Sequence, residues 1–204
     1  MFKPALVIGL GGTGVLTLRH LKAELLGSKE RKMPPQVRLV ALDTVKEEGS
    51  SGEATTDLAA LRTELDVGEY YWIGGDIYDY ARDIARDKER KPENRKYPHV
   101  GSWYQAEQYL SALPRASFTL ERGAGQLRQF GRLAVFHDVQ TPAMSGIFDR
   151  LDTAITEIRD TGLVGGLDVY LVASVAGGTG AGMFVDIAHL VRRIASVKHN
   201  IPVT

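Results

Sequence analysis

Two glycine runs stand where chemistry is most readily done. Gly9-Leu10-Gly11-Gly12-Thr13-Gly14 follows a short apolar run at residues 5–8, and Ala176-Gly177-Gly178-Thr179-Gly180-Ala181-Gly182 follows a second at residues 167–173. Each run is in turn followed by an amphipathic pattern of helical period. A strand, a glycine turn and a helix in succession put free backbone N–H groups and the positive end of a helix dipole at one point. Side chains would hold a polyanion away from that backbone, so glycine belongs where the approach is closest. The expected chemistry is the binding of phosphate groups. Glycines also make tight turns with no ligand in view, but two such runs in one parallel sheet favour phosphate. No Gly-x-x-x-x-Gly-Lys-[Ser/Thr] occurs, so an ordinary P-loop with its lysine is not expected.

These runs need a sheet to hold them. Residues 5–8 and 37–42 are continuous apolar strands of the kind buried on both faces. Val15, Leu18, Leu21 and Leu25 between them keep helical spacing, and the unit reads as βαβ with a parallel pair. The second strand ends at Asp43-Thr44. Helices are expected at residues 57–65, 76–90, 126–139 and 147–161. Short strands are expected at 117–120 and 167–173. The last helix carries apolar positions 183, 184, 187, 188, 191, 194 and 195. The fold class is α/β, a Rossmann-like three-layer domain with a mostly parallel sheet. Residues 45–122 read as an insertion or elaborated connection. Their aromatic residues, Tyr70 to Tyr109, are expected to form a satellite core, and Asp186 is expected to face solvent. Asn200-Ile201-Pro202-Val203 resembles the beginning of a further strand, which suggests the front portion of a longer protein.

Composition narrows the function classes. The 204 residues contain 25 Lys+Arg and 25 Asp+Glu, a balance unlike that of a dedicated nucleic-acid binder. There is no cysteine, which excludes disulfides and thiolate metal sites. No apolar run approaches the roughly 20 residues of a membrane span. A cytoplasmic location is expected, with no nucleic-acid or membrane partner.

Two readings of the ligand remain. Gly9-x-Gly11-x-x-Gly14 with Asp43 at the end of the second strand fits the dinucleotide fingerprint of an NAD(P)-dependent oxidoreductase. That reading leaves residues 177–182 unused. The second reading starts from Ala176-Gly177-Gly178-Thr179-Gly180-Ala181-Gly182, which resembles the tubulin/FtsZ signature [Ser/Ala/Gly]-Gly-Gly-Thr-Gly-[Ser/Ala/Thr]-Gly at every position. Gly9 to Gly14 resembles the first glycine loop of FtsZ, and Gly123-Ala124-Gly125 with Gly131 resembles that family's Gly-Ala-Gly-x₅-Gly loop. The chain looks closest to the bacterial tubulin-like proteins that are neither tubulin nor FtsZ.

The resemblance implies a GTPase domain binding GTP or GDP with Mg²⁺. Carried over, it places Gly11, Gly12 and Thr13 along the α/β-phosphates. Gly177, Gly178, Thr179, Gly180 and Ala181 would cradle the phosphate chain, Ala124 and Gly125 would approach the γ-phosphate, and Asp43 and Thr44 would lie near phosphate and Mg²⁺. It implies head-to-tail self-association of the full-length protein, with the catalytic acid in sequence beyond residue 204. A scaffold that senses nucleotide without hydrolysing it is a further alternative. FtsZ has asparagine after its first glycine loop; here the residue is Val15. Gly180→Trp is expected to abolish nucleotide binding and to leave the fold detectable by circular dichroism.

Overall fold

In the computed structural model, residues 3–27, 32–46, 63–141, 146–162 and 165–204 are described. In chain order their elements are β1 (Ala5–Leu10), α1 (Gly11–Gly27), β2 (Val37–Asp43), β3 (Tyr70–Trp72), α2 (Tyr78–Lys88), α3 (Pro98–Gly101), α4 (Ala106–Ala112), α5 (Arg128–Gln140), α6 (Gly146–Asp160), β4 (Asp168–Ala173) and α7 (Thr179–Arg193), the last continuing into a π-helical turn at Ile194–Lys198. Short 3₁₀ turns lie at Pro92–Asn94 and Arg115–Phe118.

Period-two alternation sorts the strand side chains into two cores. Leu6, Ile8 and Leu10 of β1 and Val40 and Leu42 of β2 face the larger one, where α5, α6 and α7 contribute Phe130, Leu133, Ile147, Leu151, Met183 and Ile187. Val7, Val37, Leu39 and Ala41 face the smaller one, closed by Val15 and Leu18 of α1. Both faces of the sheet are therefore covered, which is why these strands read as unbroken apolar runs. The strand order is β3-β2-β1-β4, and every neighbouring pair is parallel. The expected Rossmann-like three-layer α/β fold is the one observed.

Register matters more than layering for function. Leu10 of β1 pairs with Leu42 of β2 and with Ala173 of β4. Three strands thus end level, and the residues that follow each of them emerge on one edge of the sheet.

Several local expectations are corrected. The chain from Ser117 to Leu120 is not a strand. Pro114 begins a 3₁₀ turn closed by the Ser117 N–H on the Pro114 carbonyl (2.9 Å), and only Thr119 then bridges to Asp76. The segment 45–122 contributes strand β3, which pairs Ala41, Leu42 and Asp43 with Tyr70, Tyr71 and Trp72. Its aromatic residues form no satellite. Tyr80 and Tyr104 belong to the main core with Phe118 and Phe130, and edge-on ring contacts such as Tyr109–Phe130 (5.3 Å) join them. Of the helix expected at 57–65, residues 57–62 and the loop at 50–52 lie outside the described residues, and 63–65 are not helical. Asp186 is only partly exposed to solvent, because Arg132 grips both its carboxylate oxygens at 2.8 and 3.1 Å. Phe184 lies on the exposed flank of α7, whereas Met183, Ile187 and Val191 carry its buried face. Val203 bridges in parallel to Leu167, as the strand-like sequence there suggested.

One ion cluster joins α6 to the π-helical turn. Asp152 accepts from Lys198 Nζ at 2.7 Å and pairs with His199 Nε2 at 2.8 Å. Burial works to raise the Asp152 pKa, but the hydrogen bonds from Lys198 and His199 outweigh it and the net direction is down. A depressed carboxylate stabilises the fold above its unfolded pKa of about 4, and that stabilisation disappears as pH falls through the folded value. Asp152→Asn is expected to cost about 1 kcal/mol at pH 7, because the pair is partly exposed. Urea titrations should show the gap between variant and wild type closing by pH 3.

Candidate functional site

Because β1, β2 and β4 end level, the two glycine runs and Asp43 meet. Gly11, Gly12, Thr13, Asp43, Ala124, Gly125, Gly177, Gly178, Thr179 and Gly180 all line one cleft of about 390 Å³. This is the crevice outside the carboxyl ends of parallel strands, where open α/β sheets place ligands. A larger hollow of about 630 Å³ lies away from it, between the Val37–Val40 stretch of β2 and α6. It contains none of the glycine runs, and its Arg38 is already paired with Glu157.

Helix α1 begins inside the first run, at Gly11 rather than after Gly14. Helix α7 likewise begins at Thr179, inside the second. Neither has an acidic residue in its first turn, and α7 has no side-chain cap. The first-turn amides of α7 therefore lack the partner that an N-cap side chain normally supplies. The two helix starts abut: a Cβ on Gly11 would lie 3.1 Å from the Gly180 nitrogen. Two partial positive charges are thereby brought together, and neither first turn contains an acidic residue of its own.

The glycines divide by what surrounds them. Gly9 and Gly14 let α1 lie directly against β1, since a Cβ on Gly9 would meet the Gly14 carbonyl oxygen at 2.5 Å. A Cβ on Gly180 would lie 2.7 Å from the Leu10 carbonyl oxygen, and one on Gly131 would lie 2.5 Å from that of Gly178. These positions are required by packing. Gly177 and Gly125 are different, because a Cβ on either would meet nothing within 4 Å. Gly125 has a positive φ (56°), which accounts for its glycine. Gly177 has no positive φ and no neighbour to avoid, so the fold itself does not demand glycine there.

The loops are locked to one another. The Gly178 N–H donates to the Gly125 carbonyl at 2.8 Å, and Arg128 Nη2 donates to the Val175 carbonyl at 2.9 Å. Thr44 lies beneath the cleft rather than along it. It is fully buried, and its hydroxyl meets that of Thr179 at 2.6 Å. Asp43 accepts from the Thr44 N–H at 2.7 Å while its backbone carbonyl holds Ile73 N–H at 2.8 Å. Ala181 borders a neighbouring hollow with Arg128, Arg132 and Trp103. Val15 points into the smaller core, 3% exposed, and has no route to a ligand.

The lining also contains residues that the motif reading passed over: Arg122, Gln126 and Ser174 among them. Arg122 and Gln126 flank Gly123-Ala124-Gly125, so adjacency to that motif was the available signal. Asp43 and Arg122 are the two ionisable side chains of the lining among the described residues. Asp43 could offer a cation a single carboxylate, and Mg²⁺ sites commonly use one or two carboxylates completed by phosphate and water. No cluster of three or more His, Cys, Asp or Glu side chains occurs among the described residues.

A family profile described as tubulin like matches residues 6–204. No curated protein and no solved structure matches the chain.

Proposed function

The chain belongs to the tubulin-like family, and from that premise we propose that the cleft binds the polyphosphate of a guanine nucleotide, GTP or GDP. The observation that carries the reading is the convergence of two helix starts without acidic residues on glycine-lined space that the fold leaves open. Backbone amides at Gly11 to Thr13 and at Thr179 and Gly180 would hold the phosphates. The Thr179 hydroxyl can donate to an oxygen if Thr44 donates to it in turn. Asp43 would hold Mg²⁺, which supplies charge neutralisation between phosphates when bound.

Residues 1–204 would act as the nucleotide-binding domain, with 45–122 an elaborated connection built into its sheet and core. Asp43 is the sole carboxylate lining the cleft among the described residues. Turnover by a single copy of this chain is expected to be slow, with a catalytic acid supplied by a neighbouring copy through head-to-tail self-association. The oxidoreductase reading has less support, since a dinucleotide turn explains the first glycine run and leaves the second without a role.

Thermal denaturation with GTP, GDP, ATP and NAD tests the proposal. A ligand at 100 times its Kd adds about 2.7 kcal/mol, which for a domain of this size raises Tm by roughly 5–10 °C. GTP and GDP are expected to give that rise and NAD none. A rise with NAD alone would replace this reading with the dinucleotide one.

A further inference from the structure

We propose that Arg122 makes the cleft selective for phosphate-chain length, pairing with a phosphate beyond the reach of the helix amides. The inference rests on the cleft being the nucleotide site, and it assigns the side chain that distinguishes triphosphate from monophosphate there.

Anchorage and freedom are combined at this residue. Its backbone is tied to the chain just after Asp43-Thr44: Val45 bridges to Arg122 in antiparallel fashion, and the Lys46 N–H donates to the Glu121 carbonyl at 2.9 Å. Gly123 follows with φ 93°, turning the chain sharply into Ala124 and Gly125. The Arg122 side chain is exposed and makes no hydrogen bond or ion pair among the described residues. Nearby cations are already engaged. Arg128 holds the Val175 carbonyl, Arg132 holds Asp186, and Lys46 lies over the Trp72 ring and near Glu121. Arg122 is thus the one cation lining the cleft among the described residues, and neither glycine run contains a lysine.

The charge balance gives this arginine its role. Helix amides present only fixed partial charges toward phosphate. A triphosphate brings several full negative charges, and Asp43 in the same lining adds another. Arg122 stands on the wall made by Val45 and Gly123 to Gly125, whose Gly125 end is bonded to Gly178 at the start of α7, so a chain of phosphates running from the helix starts along that wall would engage both. A guanidinium meets phosphate bidentately, which a lysine ammonium does not.

The test is isothermal titration of wild type, Arg122→Gln and Arg122→Lys with GTP, GMP and inorganic tripolyphosphate, with Tm measured alongside. Arg122→Gln is expected to bind GTP and tripolyphosphate roughly tenfold or more weakly, as losing a charge-assisted hydrogen bond implies. Its GMP affinity and Tm should stay at wild-type values, and Arg122→Lys should fall between. Equal GTP affinity in wild type and Arg122→Gln overturns the inference while leaving the nucleotide reading intact. An equal loss for GTP and GMP also overturns it, since the residue would then not sense chain length. Wild type that binds none of the three ligands overturns the nucleotide reading itself.

Discussion

Gly177→Glu is expected to weaken nucleotide binding by about 100-fold or more, the effect of placing a like charge against phosphate, while Tm changes by less than about 2 °C. The reasoning joins two facts about one position. A side chain at 177 enters open space and needs no unusual backbone angle, so the folded protein accommodates it. That open space is the cleft bounded by the starts of α1 and α7. A carboxylate there would occupy the helix dipole's positive end in place of a ligand, an interaction that favours the fold. Loss of binding without loss of stability is the signature of a site residue. Calorimetric titration and a melting curve on the same sample provide both numbers. Unchanged affinity for GTP would show that the nucleotide is held elsewhere.

Gly180→Trp is expected to do the opposite and unfold the chain or prevent its accumulation. The motif alone suggested a variant that keeps its fold and loses its ligand. The structure reverses that expectation, because a Cβ at 180 would lie 2.7 Å from the Leu10 carbonyl oxygen and 3.1 Å from the Ala173 Cβ. Leu10 ends the central strand β1 and Ala173 ends its neighbour β4, and the backbone of β1 has no room to retreat. Overpacking by a few methylenes typically costs about 1–3 kcal/mol, and an indole ring driven against backbone adds far more volume than that, a large fraction of a typical stability of about 5–15 kcal/mol. The ring of tryptophan has still less space than its Cβ. Circular dichroism melting measures the outcome, and a variant melting with wild type would show that α7 does not start against the end of β1. The pair of substitutions, three residues apart, separates glycine kept for the ligand from glycine kept for the fold.

The two long parallel strands, the glycine runs and the helices that follow them were legible in the amino-acid order because their signals are local, though α1 starts at Gly11, inside its run rather than after it. Leu6 to Leu10 and Val37 to Asp43 are buried on both faces and therefore read as apolar runs. The α7 stripe is set by 3.6-residue periodicity, which survives any tertiary context. Strand β3 was not legible, because three residues, Tyr70–Trp72, are too few to display a period. The same brevity made residues 117–120 look like a strand until the turn at Pro114 closed over them.

The order of residues by itself determined that this protein would place glycine-rich turns directly between apolar strands and amphipathic helices. Only the tertiary structure decided that those starts share a cleft, because that depends on Leu10, Leu42 and Ala173 ending in register across more than a hundred residues of chain. It also decided which glycines border open space in the cleft and which face backbone, that Thr44 supports Thr179 from below, and that Arg122 reaches the cleft unpaired. The physical reason is one of range. Backbone conformation and amphipathic pattern are properties of neighbours along the chain, whereas vacant space and unspent charge are defined by atoms brought together from distant segments.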